Sequence, residues 1–155
     1  MRCLGKQMFF VRKRSANVAA ATRSWSRMGY HRSQKLKLPL RVPPINFTHH
    51  FGRFTDSKNG GNDVFEVTFI NDQSSENHYI IDIRPLKYKL PLREKYVLNT
   101  FELKNGNIAT YMNIAGFNVL VFYRDNLQYM LSIDKRVANK ATPETLVDIA
   151  NSINY

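Results

Sequence analysis

Alternating hydrophobic and polar residues dominate the chain from about residue 45 onwards. Over residues 64–70, Phe65, Val67 and Phe69 share one face of an extended segment, whereas Glu66 lies on the other face. A period of two is typical of a β-strand that buries one face and leaves the other in water. We therefore predict a strand here, with the three apolar side chains in the core.

The same alternation occurs over residues 78–84, where Tyr79, Ile81 and Ile83 are predicted to face the core. The β-rich stretches together predict six to seven strands, over residues 45–55, 64–70, 78–84, 96–104, 108–114, 118–123 and 127–133. Residues 86–95 are predicted to form a connecting loop.

Short turn signals separate the later strands. Asn105-Gly106-Asn107 is a strong hairpin signal, because Asn and Gly tolerate the positive φ of a tight turn. Ala115-Gly116 and Arg124-Asp125-Asn126 are predicted to turn the chain twice more. Consecutive hairpins join antiparallel strands, so this part of the sequence predicts a β-meander.

One helix is predicted near the end of the chain. Thr142 is a suitable N-cap, Pro143 suits the first helical position, and Glu144 places a carboxylate at the positive end of the helix dipole. The apolar residues that follow recur at helical spacing, at Leu146, Ile149, Ala150 and Ile153. The predicted fold is therefore α+β: a curved antiparallel β-meander of about six to seven strands with one C-terminal helix packed on it.

The net charge of +11 is concentrated at the beginning of the chain. Residues 1–37 contain ten Lys and Arg residues and no Asp or Glu, whereas residues 38–155 contain 13 basic and 12 acidic residues. Three prolines, Pro39, Pro43 and Pro44, favour an extended path at the junction. We predict a disordered or non-native basic tail over residues 1–37 and a single domain over residues 38–155.

The histidines do not predict a metal site. His49 and His50 are neighbours in a predicted strand, so their side chains point to opposite faces. His78 begins a strand after a polar loop and is predicted to be exposed to solvent, and His31 lies in the tail. No nearby spacing of Cys, His, Asp or Glu completes a site.

Catalytic and cofactor motifs are also missing from the sequence. Cys3 lies in the tail without a fixed base, and there is no Gly-x-Ser-x-Gly elbow or glycine-rich phosphate loop. Glu66 and Asp82 could form a carboxylate pair, but on the polar face of strands such residues usually serve solubility. We therefore predict no catalytic, cofactor-binding or metal-binding residue, and a protein that is not an enzyme.

The basic tail leaves several interpretations open. Clustered Lys and Arg favour nucleic acid or an anionic surface, and Trp25 and Tyr30 could stack on bases. The scattered charges and the lack of a recognition fold argue against nucleic acid. The acid-free, Arg- and Ser-rich composition also fits a cleavable organellar transit segment. A third interpretation is a wrong start or a shifted frame that replaces a native anchor.

Several segments carry a resemblance to a known family. They are residues 38–43 (LPLRVP), 104–111 (KNGNIATY), 127–133 (LQYMLSI) and 142–153 (TPETLVDIANSI). These segments resemble a small uncharacterised domain family of Gram-positive spore-forming bacteria, found in lipoproteins and as the C-terminal domain of sigma-factor regulators. The resemblance covers about residues 38–155 and brings no assigned catalytic residues.

The resemblance implies an extracytoplasmic, non-catalytic binding, sensor or regulatory domain at the outer face of a bacterial membrane. Its expected partner is an unknown protein or another component of the cell envelope. Membrane association would come from a missing anchor or from the basic tail, since the chain as given has no export signal. The sequence does not identify an oligomeric state or a ligand.

Overall fold

The structure is a computed structural model that describes residues 7–12, 36–55 and 63–153. Its main element is one antiparallel sheet of eight strands. The strands are β1 Gln7–Arg12, β2 His49–Thr55, β3 Val64–Ile70, β4 His78–Pro85, β5 Val97–Glu102, β6 Ile108–Ile114, β7 Phe117–Arg124 and β8 Leu127–Asp134. Their order across the sheet is β1-β2-β3-β4-β8-β7-β6-β5.

The sheet consists of two meanders that meet at β4 and β8. Strands β1 to β4 follow each other from one edge to the middle, and residues 86–96 then cross to the far edge, where β5 begins. Strands β5 to β8 return to the middle, where β8 pairs with β4. The predicted antiparallel meander of about six to seven strands is confirmed, with seven strands beyond residue 45.

The turns predicted at Ala115-Gly116 and at Asp125-Asn126 are confirmed in the second meander. Ala115 and Gly116 have φ angles of 48° and 85°, and Asp125 and Asn126 have φ angles of 50° and 60°. Two consecutive positive φ values are typical of the turns that match the twist of adjacent strands. These turns fix the registers of β6 with β7 and of β7 with β8.

The predicted helix is confirmed as α1, Pro143–Asn151. The Thr142 hydroxyl oxygen accepts a hydrogen bond from the Thr145 amide at 3.3 Å, which caps the first turn. Leu146, Ile149 and Ala150 are buried against one face of the sheet, here called the helix face. The core side chains predicted for β3 and β4 lie on this face, and all except the half-buried Phe69 are buried.

The segment that enters the domain ties α1 to the sheet. Leu36 is buried, and the Tyr129 hydroxyl donates a hydrogen bond to the Lys37 carbonyl oxygen at 2.9 Å. The Ser152 hydroxyl accepts hydrogen bonds from the amides of Leu40 and Arg41 at 3.1 and 3.2 Å. The domain therefore includes residues just before the predicted boundary at residue 38.

The structure also places part of the predicted tail in the sheet. Gln7–Arg12 pairs along its whole length with β2 as an edge strand. The apolar run from Met8 to Val11 is a β-prone signal that the surrounding basic residues obscured. The prediction of a separate tail therefore does not extend to these six residues, and residues 1–6 and 13–35 lie outside the described part of the chain.

The face of the sheet opposite α1 is divided between two environments. Residues 86–96, here called the strap, cross this face, which we call the strap face. Leu92 and Tyr96 of the strap pack on a small apolar cluster formed by Met112, Val119, Val121 and Met130. On β3, the strap-face side chains of Val64, Glu66, Thr68 and Ile70 remain partly exposed. The part of the strap face over β2 to β4 is therefore the more open part.

Candidate functional site

Four charged residues meet on the open part of the strap face. The register places Arg53 of β2 opposite Glu66 of β3, and Glu66 opposite Asp82 of β4. Arg84 follows Asp82 by two residues and therefore lies on the same face. These four residues, Arg53, Glu66, Asp82 and Arg84, are called the charge cluster below.

Arg53 and Glu66 form an ion pair through a terminal nitrogen of the guanidinium, whereas the Arg53 Nε atom is buried without a partner. The Arg53 Nη2 atom donates to the two carboxylate oxygens of Glu66 at 2.8 and 2.9 Å. The Thr68 hydroxyl also donates to Glu66 at 3.3 Å. The Glu66 carboxylate is thus held by its own sheet neighbours.

Asp82 and Arg84 are different, because neither side chain has a hydrogen-bonding or ion-pairing partner in the described parts of the chain. The Arg84 residue is only 9% exposed, and its Nε atom is sealed from solvent without an acceptor. The terminal nitrogens of Arg84 and the carboxylate oxygens of Asp82 are not sealed in this way. An unpaired guanidinium with so little exposure is a costly arrangement unless something else binds it.

Asp82 and Arg84 form neither a hydrogen bond nor an ion pair with each other, although both stand on the same face of β4. Residues two apart on a strand are separated by roughly 7 Å along the chain, so their side chains stand side by side. On β8, Asp82 faces the apolar Met130, and Arg84 faces Gln128. The amide of Gln128 is already engaged, because its oxygen accepts from the Leu90 amide at 2.8 Å and its nitrogen donates to the Leu90 carbonyl at 2.9 Å. Neither β8 neighbour can therefore complete the site.

The electrostatics reflect this incomplete pairing. Burial raises the pKa of Asp82 from 3.8 to about 6, with a further increase from the Glu66 carboxylate, while Arg84 and Arg53 act in the opposite direction. Burial also lowers the pKa of the Arg84 guanidinium below its usual value, although Asp82 and Glu66 oppose that change. The four charges of the cluster sum to zero, yet the neighbouring charges do not fully offset the cost of burying the Asp82 carboxylate and the Arg84 guanidinium.

Glu66 and Asp82 therefore lie opposite each other on neighbouring strands, as a carboxylate pair would. The sequence favours a solubilising role for Glu66 and Asp82, but the burial and the raised pKa of Asp82 do not fit that role. The sequence contains a sign of this pairing, because a turn centred on Ser74 places Glu66 opposite Asp82.

The histidines are used in packing contacts. His49 lies on the strap face, where its Nδ1 atom is 2.8 Å from the Thr48 hydroxyl, and His50 packs on Phe69 on the helix face. The predicted opposite orientations agree with the register, which places His49 opposite Ile70 and His50 opposite Phe69. His78 is half-buried with its ring edge-on to Phe117, so the prediction that it is exposed was wrong.

Metal and membrane signals are absent from the described residues. In residues 36–55 and 63–153, no group of three or more His, Cys, Asp or Glu side chains could hold a metal ion. Within the part of the chain that the structure describes, no helix is both long and apolar enough to cross a membrane. Cys3 and His31 lie outside the described residues.

Comparison with known proteins identifies no relative. No family model, no curated protein and no solved structure matches the chain. The resemblance described from the sequence therefore stays a prediction.

Proposed function

We propose that this protein is a non-catalytic binding domain of the sensor or regulatory kind, and that it binds its ligand on the open part of the strap face. The observation that carries the proposal is the side-by-side placement of Asp82 and Arg84 without partners. Charged groups with perturbed pKa values concentrate at functional sites, because a fold bears their cost where they are used.

The distribution of surfaces supports the same location. The helix face is occupied by the apolar core beneath α1, and the strap fills the face over β6 to β8. The face over β2 to β4 combines partial exposure with polar groups that still have bonding capacity. It is also built on neighbouring paired strands, and a rigid base of this kind keeps a binding site pre-organised.

The sequence resemblance supports a place for the domain at the outer face of a bacterial membrane. In that setting a folded domain that binds a ligand or an envelope partner can report on conditions outside the cell. Intact mass and N-terminal sequencing of the protein from membrane and soluble fractions of its native cells would test this location. We expect membrane-associated material, and a uniformly soluble protein beginning at Met1 would contradict it.

A ligand screen on the full-length protein tests the binding site. Thermal unfolding would be followed in the presence of charged metabolites and short peptides, for the wild type and for Asp82→Asn and Arg84→Gln variants. A ligand that binds the native state raises the midpoint of unfolding. We expect stabilisation of the wild type that both variants lose, whereas Arg93→Gln, at an exposed position of the strap, should retain it.

Two results of this screen would contradict the proposal. Equal stabilisation of the wild type and the two cluster variants would place the binding site elsewhere. Conversion of the bound compound into a product, detected by mass spectrometry after incubation with the protein, would show that the domain is an enzyme.

A further inference from the structure

We propose that Asp82 and Arg84 together form a binding site for a small zwitterion of the amino-acid type, with the ammonium group at Asp82 and the carboxylate at Arg84. This inference rests on the proposed function and names the ligand class of the same site. It follows from two opposite charges that share one face of β4 and make no hydrogen bond or ion pair with each other or with another described residue.

The bonding capacity that remains defines the ligand. The Asp82 carboxylate can accept several hydrogen bonds, and the terminal nitrogens of Arg84 can donate several more. Since neither group has a partner within residues 36–55 and 63–153, a ligand that donates at one end and accepts at the other completes both. Ammonium and carboxylate groups form the strongest such contacts, because the hydrogen bonds are assisted by charge.

The neighbouring charges favour a neutral ligand that carries both signs. A simple anion at Arg84 would lie beside the carboxylates of Asp82 and Glu66, and a simple cation at Asp82 would lie beside Arg84. Both carboxylates act electrostatically on Arg84, and both arginines act on Asp82. A zwitterion aligned antiparallel to the Asp82–Arg84 pair gains both attractions and adds no net charge to a partly buried site.

The surroundings limit the size of the ligand. On the β8 side, Met130 opposes Asp82, and the Gln128 amide is bonded to the Leu90 backbone of the strap. On the β3 side, Glu66 is held by Arg53. The ligand therefore lies over β4 between the strap and the Arg53–Glu66 pair, which suits a short chain better than a bulky one.

Binding should depend on pH in a direction that identifies the ligand class. The charged groups that act on Asp82 are Arg53 of β2, Glu66 of β3 and Arg84 of β4, and its β8 neighbour Met130 is uncharged. A ligand ammonium needs the ionised carboxylate, so affinity for a zwitterion falls when Asp82 becomes protonated in acid. A simple anion would show the opposite trend, since protonation removes a repulsive charge.

Isothermal titration calorimetry of the full-length protein with glycine tests the inference, with acetate and methylammonium as single-charge probes. We expect glycine to bind about tenfold or more tightly than either probe, which corresponds to one charge-assisted contact. Asp82→Asn and Arg84→Gln should each weaken glycine binding by about tenfold, and Arg93→Gln should leave it unchanged. Affinity should fall as the pH is lowered from about 8 to about 5, and this fall should disappear in Asp82→Asn.

Other outcomes overturn the inference without ambiguity. Acetate binding that matches glycine and strengthens in acid would identify a simple anion site. Absence of glycine binding by the wild type, while library ligands still depend on Asp82 and Arg84, would refute the zwitterion and leave the proposed binding domain intact. Loss of all dependence on these residues would refute both. Because the glycine and acetate comparison uses only the wild type, it holds even where a variant fails to fold.

Discussion

At the scale of single residues, the core contains two tyrosines that differ in one hydrogen bond. Tyr79 and Tyr129 are both fully buried on the helix face. The Tyr129 hydroxyl donates to the Lys37 carbonyl at 2.9 Å, whereas the Tyr79 hydroxyl has no hydrogen-bonding partner in the described residues. An unsatisfied buried hydroxyl has lost its water without replacement, so the two groups should contribute to stability with opposite signs.

Replacement of these tyrosines by phenylalanine gives a matched pair of variants. Tyr129→Phe should lower the free energy of unfolding by about 1 kcal/mol, because the Lys37 carbonyl loses its donor. Tyr79→Phe should leave it unchanged or raise it by up to about 1 kcal/mol, because no hydrogen bond is lost. Urea unfolding of the full-length variants measures both, and equal losses in the two variants would contradict this account.

Asp82 should make the stability of the protein depend on pH. Its pKa is raised from 3.8 to about 6 in the fold, so the ionised form destabilises the native state at higher pH. That cost begins to shrink as the pH falls through about 6 and is fully lost only below the ordinary value of 3.8, because between these values the folded protein binds a proton more readily than the unfolded chain. Asp82→Asn should therefore be more stable than the wild type at about pH 8, by about 1–2 kcal/mol after allowance for solvent screening, and this advantage should shrink at about pH 5.

Urea unfolding of both proteins at the two pH values gives the difference directly. Groups that do not interact with Asp82 contribute equally to both proteins and cancel in the comparison. A stability difference that stays constant with pH would show that Asp82 has an ordinary pKa.

At the scale of elements, the side chain of Gln128 clamps the middle of the strap to the sheet. Gln128 is fully buried, and its amide bonds both the amide and the carbonyl of Leu90. These two bonds satisfy the backbone amide and carbonyl of Leu90, which does not lie in a strand or a helix. The strap in turn covers the apolar cluster on β6 to β8.

Removal of the clamp should loosen the strap. Gln128→Leu leaves two backbone groups of Leu90 without partners, and we expect a loss of about 1–2 kcal/mol in the free energy of unfolding, since Leu90 can partly return to water. Hydrogen exchange should rise in residues 86–96 and not in β3. The exposed Gln73→Leu is the control, and protection of the strap that survives Gln128→Leu would contradict the assigned role.

The turn between β6 and β7 contains a residue that is poorly suited to its backbone. Ala115 has a φ of 48°, a conformation in which a Cβ atom is crowded and Asn is better tolerated than Ala. Ala115→Asn should raise the free energy of unfolding by about 0.5–1 kcal/mol. Ala138 has an ordinary right-handed φ of –59°, so Ala138→Asn should bring no such gain in the same thermal or urea measurement.

The local elements were predictable because their signals are local. The alternation of Phe65, Val67 and Phe69, the Ala115-Gly116 turn and the capped helix each depend on residues close in sequence. The pairing of β4 with β8 was not predictable in this way, because it joins segments about fifty residues apart through a crossover. The strap was predicted only as a loop, since Leu92 and Tyr96 show no period that indicates which surface they cover.

At the scale of the whole molecule, the two faces of the sheet differ in what covers them. One face buries a continuous core beneath α1, and the other is part covered by the strap and part open around the charge cluster. The sequence alternation predicts that Glu66 and Asp82 lie on the polar face. The proposed binding site also requires that Arg84 has no partner. Its unpaired state depends on Gln128 being engaged by Leu90, a contact between distant segments that no sequence pattern indicates.

The open part of the strap face leaves Asp82 and Arg84 without partners in the described residues, and the titration of Asp82 reports on this most directly. Carbon-13 NMR of the side-chain carboxyl groups in the full-length protein, titrated with acid, gives the pKa of Asp82 itself. We expect a value of about 6, because burial and the Glu66 carboxylate raise the pKa of Asp82 by more than the two arginines lower it. A pKa at or below the ordinary value of about 4 would show that Asp82 is paired in solution, and the proposed binding site would lose its basis.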